Sequence, residues 1–179
     1  MKQPIFLLAL AAFTLSLSTG QLQAFNKKDL QKLIQSKKCS SGTFSTCDLS
    51  KAKLTNVNLV GASLEGVNLK GAVLTNVDLA KANLSEANLT GAKLIRVNFT
   101  DAKLTEANLS QTQLLWVDFF NADLTDAILT NAVVKGSRFQ NANLEDALIE
   151  GTDLSLANLT GAIGIKDEKC QKGSLGKCL

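Results

Sequence analysis

The sequence of 179 residues contains no histidine and no tyrosine, and proline and tryptophan occur once each. Without histidine, the chain lacks the usual general base of enzymes and the commonest zinc ligand. Aromatic residues make up only 5% of the chain and the net charge is +3, so overall charge does not favour a nucleic acid as partner. We therefore expect no catalytic residue, no metal site and no cofactor, and we predict that the protein is not an enzyme.

The first residues have the organisation of an export signal. Lys2 precedes an apolar run of about 13 residues, from Ile5 to Leu17, and small and polar residues follow. That length suits the apolar core of a signal peptide and is short for a membrane span. We predict a signal peptide over residues 1–24, with an uncleaved N-terminal anchor as the alternative. No later segment is long and apolar enough to span a bilayer, so we expect no stable membrane insertion after cleavage.

The four cysteines form two pairs with the same separation, one pair towards each end of the chain. They are Cys39 with Cys47, and Cys170 with Cys178. In an oxidising compartment an even number of cysteines suggests disulfides. Four cysteines allow three connectivities, of which we favour the two local pairings. A zinc site is the alternative, although the spacing is not that of a CxxC motif.

Consecutive five-residue blocks such as AKLTN, ANLSE and VNFTD fill the sequence from Cys47 to Gly161. The third residue of each block is Leu or Phe, except at Val134 and Ile149, and the first residue is mostly Ala or Val. Neither the period of a helix nor that of a simple strand fits this pattern. It predicts a short extended stretch followed by a turn, so that four blocks close one coil. Successive coils would then stack by strand pairing at about 4.8 Å.

These blocks resemble the A(D/N)LXX motif of the pentapeptide-repeat family, whose fold is a right-handed quadrilateral β-helix. The resemblance extends over residues 47–161 and implies an all-β solenoid of about six 20-residue coils. It implies a repeat domain over residues 47–162 and, because a solenoid is open at both ends, a cap at each end.

The expected N-terminal cap is a short helix with its linker over residues 25–46. Family members often carry a helix that plugs the first coil, and here Leu30, Leu33 and Ile34 lie on one helical face. The expected C-terminal cap is a small helical segment over residues 163–179, tied by Cys170 and Cys178.

The outward residues separate into faces, because residues twenty positions apart are expected to stack. One face is acidic, with Lys103 as its only cation, and its acids are Glu65, Glu86, Glu106, Asp123, Asp126, Glu145 and Asp146. We interpret this acidic stripe as a solvated surface. Weak binding of divalent cations is the alternative, although the pattern does not resemble an EF-hand loop. A second face presents the cations Lys53, Lys93, Arg96 and Lys135.

An apolar cluster is expected on the surface near the only tryptophan. Leu114, Val117 and Phe119 take inward positions in their blocks, whereas the residues after Leu114 and Phe119 take turn positions that point outward. This predicts a candidate protein-contact patch of Ile95, Arg96, Leu115, Trp116 and Phe120. Arg96 is expected one coil below Trp116, close enough to stack on its indole. Incidental surface apolarity is the alternative.

The function that we predict is a non-enzymatic structural or interaction scaffold of the periplasm or thylakoid lumen. It would bind an unidentified protein, or a second copy of itself, through a flat face of the solenoid. The combination of export signal and repeat is similar to exported family members of cyanobacteria and chloroplast lumens. The family also includes proteins that mimic DNA and bind a type II topoisomerase, but the export signal and the basic face disfavour that function. A membrane-surface binder is a third possibility, for which four dispersed cations are weak support.

Overall fold

The structure, a computed structural model, describes Leu33 and residues 47–164. Each strand has three residues, of which the middle one is buried. The strands are β1 (Lys53–Thr55), β2 (Val73–Thr75), β3 (Lys93–Ile95), β4 (Gln113–Leu115) and β5 (Val133–Lys135). They form one parallel sheet in the order β1-β2-β3-β4-β5, and each residue pairs with the residue twenty positions later.

The same register continues outside the sheet, through isolated parallel bridges in three further columns. Representative bridges are Asp78 with Asn98, Asn83 with Lys103, and Asn88 with Asn108. The backbone therefore pairs with itself at every quarter of a twenty-residue repeat, which makes the described chain a parallel β-solenoid. The predicted all-β solenoid and its 20-residue spacing are confirmed. Handedness, number of coils and domain boundaries stay predictions.

The core of the solenoid consists of the first and third residues of the blocks. Ala92, Leu94, Leu114 and Phe119 have 0% of their surface exposed, and Val117 has 1%. The predicted inward positions are thus confirmed, including those beside the tryptophan. Toward the C-terminal end the burial is less complete, and the residues that are only partly buried against the core are Ala147, Ile149 and Ala162.

One column of the core is aromatic. The rings of Phe99 and Phe119 are stacked with centroids 5.1 Å apart, and those of Phe119 and Phe139 with centroids 4.6 Å apart. Such a ladder is possible only because the register never slips, since one inserted residue would turn a phenylalanine outward.

The second residue of a block has a structural role that the sequence did not reveal. Where it is Asn or Asp, its Oδ1 accepts a hydrogen bond from the backbone N–H two residues later, as in Asn88 with Thr90 (3.1 Å) and Asn98 with Thr100 (3.0 Å). Short side chains that bind the backbone in this way favour turns. The Asn or Asp of the motif therefore satisfies a donor of the turn in addition to being soluble.

The fifth residue of every block from Lys51 to Gly151 has a left-handed backbone, with φ between 52° and 70°. Glycine adopts this conformation freely and asparagine tolerates it, whereas other side chains are strained there. This position is the corner at which one side of the coil turns into the next.

Of the two expected caps, the structure describes only Leu33, Ile163 and Gly164. Ile163 forms a parallel bridge with Asn143 and so continues a ladder of the solenoid. Leu33 is helical and only 1% exposed, and it belongs to the same apolar core as the solenoid. Within the described part of the chain, no helix is long and apolar enough to cross a membrane.

Candidate binding surface

Trp116 lies at a corner of the coil, directly after β4, and its side chain is 59% exposed. One coil earlier, Ile95 pairs with Leu115 in register, and both are half-buried. The guanidinium carbon of Arg96 lies 5.6 Å from the centroid of the indole, within the range of a cation–π contact. We name the surface formed by Ile95, Arg96, Leu115 and Trp116 the Trp116 corner. The predicted stacking of Arg96 on Trp116 is confirmed, and its use as a contact surface stays a prediction.

Gly136 lies in the same corner column one coil beyond Trp116, and the indole leans over it. A Cβ placed on Gly136 would lie 2.7 Å from Cδ1 and 3.0 Å from Nε1 of Trp116. Only glycine leaves that space open, so the indole is held between Arg96 and Gly136. Sequence reasoning missed Gly136, although the twenty-residue spacing from Trp116 was a signal that could have found it.

Phe120 belongs to a neighbouring group and not to the Trp116 corner. It follows Asp118, whose bridge belongs to the next side of the coil, and its ring centroid lies 5.7 Å from the guanidinium carbon of Arg138. Arg138 also donates a hydrogen bond to Asp118 at 2.9 Å. The structure therefore brings together four of the five residues of the predicted patch and places the fifth beside a second arginine.

The acidic stripe divides into separate columns. Four of its acids stack at corner positions twenty residues apart, and these are Glu86, Glu106, Asp126 and Asp146. Asp123 instead lies in a ladder between Lys103 and Asn143. Among the described residues, no group of three or more His, Cys, Asp or Glu side chains could hold a metal ion.

Large apolar side chains other than Trp116 are also exposed. They are Val133 (45%), Leu148 (55%), Leu156 (62%) and Ile163 (58%). The sequence signal for all four was an apolar residue at an outward position of its block. Val133 and Ile163 pair with polar residues, whereas Leu148 pairs with Ile128 in a column that carries Asn88 and Asn108 in earlier coils.

Cys47 is buried and disulfide-bonded. Cys39, Cys170 and Cys178 lie outside the described residues, so the predicted pairings stay predictions.

Fold and repeat together define the class: a parallel β-solenoid built from five-residue blocks. Two family models match the chain, one described as a pentapeptide repeat region over residues 72–149, the other as pentapeptide repeats over residues 47–85 and 137–163. Together they extend over residues 47–163, more than half of the chain. The protein belongs to the pentapeptide-repeat family.

Solved structures of pentapeptide repeat proteins are similar to this chain. One, from the thylakoid lumen of Arabidopsis thaliana, is 32% identical over 60% of this chain and 72% of that chain, with a TM-score of 0.45. Another, from the cyanobacterium Cyanothece 51142, is 23% identical over 76% of this chain and 97% of that chain, with a TM-score of 0.52. QnrB1, a plasmid-mediated fluoroquinolone resistance protein, is 18% identical over 73% and 83% of the two chains, with a TM-score of 0.37. The search among curated proteins found no match.

Proposed function

We propose that the protein is a non-enzymatic scaffold that binds a partner protein through the Trp116 corner. The observation that carries this proposal is the exposure of Trp116, whose side chain is 59% exposed to solvent at a corner where φ is 55°. A left-handed backbone costs a bulky residue about 1–2 kcal/mol. Two earlier coils carry Asn56 and Asn76 at this corner, and asparagine tolerates a left-handed backbone better than tryptophan does. Every corner from Lys51 to Gly151 has this backbone, so Trp116 is distinguished by a large exposed ring at a corner that carries asparagine in earlier coils.

The surroundings of Trp116 support this proposal. Arg96 stacks on the indole, and the exposed Lys93 and Lys135 flank it on β3 and β5. The nearby carboxylate of Asp118 is already engaged by Arg138. Tryptophan and arginine are the residues most enriched at the energetic centres of protein interfaces. The Trp116 corner therefore suits a partner that presents carboxylates beside apolar side chains.

The proposed scaffold is a right-handed, four-sided column of about six coils, closed by an N-terminal helix and a C-terminal cap. It is exported to the periplasm or the thylakoid lumen, a proposal that rests on the apolar run near the N-terminus. The lack of histidine and tyrosine in the sequence supports a role without catalysis.

Crosslinking in the native compartment, followed by identification of the partner, tests this function. Trp116→Asn removes the indole and keeps a residue suited to the corner. Gln111→Asn is the matched control, because Gln111 is an exposed corner residue of the same coil with a φ of 57°. We expect the wild type and the control to recover the same partner and Trp116→Asn to lose it.

Equal recovery of the partner by Trp116→Asn would contradict the proposal. Recovery of a type II topoisomerase, or binding to anionic vesicles that survives Trp116→Asn, would favour DNA mimicry or membrane-surface binding instead.

A further inference from the structure

A second exposed apolar surface lies half a turn away from the Trp116 corner. Its column of bridges carries Asn88 and Asn108 in two coils and then changes to Ile128 and Leu148. Leu148 is 55% exposed and Ile128 is half-buried. Apolar residues that replace asparagine in two successive coils form a continuous patch instead of a scattered surface residue.

Carboxylates border this patch. Glu106 and Asp126 precede Asn108 and Ile128 by two residues, are exposed, and occupy successive corners of one column. We name the surface formed by Glu106, Asp126, Ile128 and Leu148 the Leu148 side. It combines an apolar centre with an acidic border, whereas the Trp116 corner combines an apolar centre with a basic border. Surfaces with opposite borders steer and orient an encounter.

The charges on the two surfaces also have the same spacing along the column, because the rise from one coil to the next is the same on both sides. Arg96 and Lys135 lie two coils apart on the Trp116 corner and its flank, as the pairing of Ile95 with Leu115 and of Leu115 with Lys135 shows. Glu86 and Asp126 are also two coils apart, in the corner column of Glu86, Glu106 and Asp126, which we name the acidic corner. At about 4.8 Å per coil, both separations are close to 10 Å. Cations on one copy can therefore face carboxylates on another in register.

We propose that the partner of the Trp116 corner is a second copy of this chain, which receives it on its Leu148 side. The inference rests on the proposed function, since it uses the same surface. Trp116 and Asp126 are ten residues apart in a twenty-residue repeat, so the two surfaces lie at opposite corners of one coil. The contact is consequently head-to-tail, and each copy in a pair keeps one surface unused. Such an interface extends into open assemblies unless its rotation closes a ring.

Two variants, each lacking one surface, test this arrangement. The corner variant is Trp116→Asn. The side variant combines Asp126→Lys with Leu148→Asn, replacements already tolerated in equivalent positions, because Lys81 has the same corner backbone and Asn108 shares the column of Leu148. Thermal unfolding followed by circular dichroism checks that both variants keep the fold.

Sedimentation velocity of the mature protein over a range of concentrations is the measurement. We expect the wild type and the Gln111→Asn control to form species that grow beyond a dimer as concentration rises. Each variant alone is expected to remain monomeric. An equimolar mixture of the two variants is expected to form a heterodimer and nothing larger, since only one intact interface can form between them.

A wild type that stays monomeric at every concentration overturns the second copy as partner. If Trp116→Asn still loses a crosslinked partner in that case, the proposed function stands. If the wild type associates but the mixture of the two variants does not, the interface is symmetric, and this outcome also overturns the inference. Association that survives in the corner variant overturns the inference, because copies of the chain would then meet through another surface, whereas the crosslinking experiment still decides the proposed function.

Discussion

Trp116 and Gly136 are coupled residues, although twenty positions separate them in the sequence. Corner positions accept Asn, Lys, Glu and Gln elsewhere in the solenoid, so the turn itself does not demand glycine at 136. What demands it is the indole of Trp116, which occupies the space of the missing Cβ. The exposed position of the indole therefore depends on glycine at position 136, one coil further along the same corner column.

Gly136→Ala should therefore destabilise the protein more than Gly91→Ala does. Both glycines have a φ near 65°, but a Cβ on Gly91 would meet nothing within 4 Å. We expect about 1–2 kcal/mol for the backbone strain at either position, and about 1 kcal/mol more at Gly136 because the indole must move. Urea unfolding of both variants measures the difference. In a Trp116→Ala background, which leaves no side chain long enough to reach residue 136, the two costs should become equal, and a difference that persists there would show that the indole is not its cause.

Ser137 replaces the small apolar residue of its block, and its hydroxyl connects two backbone groups of the coil below. Ser137 Oγ accepts a hydrogen bond from Val117 N–H at 3.0 Å and donates one to Leu114 O at 3.1 Å. We expect Ser137→Ala to lower the free energy of unfolding by about 1–2 kcal/mol, because the buried N–H of Val117 loses this acceptor. Chemical denaturation measures the change.

Thr112→Ala is the control for Ser137→Ala. The hydroxyl of Thr112 donates to Leu109 O, a carbonyl that also accepts from the backbone N–H of residue 112. Most coils carry alanine in this column, as at Ala92 and Ala132. We expect a change near zero for Thr112→Ala, and an equal loss in the two variants would contradict the role assigned to Ser137.

At the scale of elements, the solenoid is stabilised by columns of like side chains more than by individual strands. Each strand has only three residues, and its stability depends on the ladder above and below it. The stacked Phe99, Phe119 and Phe139 are the largest fully buried side chains of the described residues, and Leu79 and Leu159 continue their column at either end.

Phe119→Ala should cost about 3–5 kcal/mol, since it leaves a cavity between two stacked rings. Phe119→Leu should cost less than half as much, because leucine occupies the same column in the coils of Leu79 and Leu159. Equilibrium denaturation distinguishes the two variants. Equal costs for Ala and Leu would mean that the ring stack, and not the filled volume, determines the stability of this column.

The sequence predicted the elements well, because one rule repeats along the chain. A Leu or Phe at every fifth position determines what is inside, and that is why the burial of Leu114 and the contact of Arg96 with Trp116 could be placed before the structure. The features it missed depend on contacts between coils at single positions. Gly136 matters only because of the indole below it, and Leu148 is notable only beside Ile128 in the same column. Phe120 was assigned to the same patch as an outward residue close in sequence, whereas it lies on the next side of the coil, beyond the corner that Trp116 occupies.

At the scale of the whole molecule, charge is segregated around the column. The net charge of +3 conceals a corner with Glu86, Glu106 and Asp126 in successive coils, and an opposite corner with Arg96. Like charges that face each other across a ladder are destabilising. The acidic corner is therefore a feature that the stability of the isolated column does not require, which is consistent with a role in contacts.

Glu106→Gln should stabilise the isolated protein by a few tenths of a kcal/mol at low ionic strength, because Glu106 lies between two other acids. Glu65→Gln is the control, since Glu65 lies outside that column and its Oε2 accepts a hydrogen bond from Asn83 at 3.1 Å. Thermal unfolding in dilute buffer and in about 1 M salt, where the Debye length falls to about 3 Å, measures the effect. We expect the gain of Glu106→Gln to disappear in high salt and Glu65→Gln to show no gain in either condition. A gain that is independent of salt would indicate that the isosteric amide improves the corner itself, and that repulsion between coils contributes nothing there.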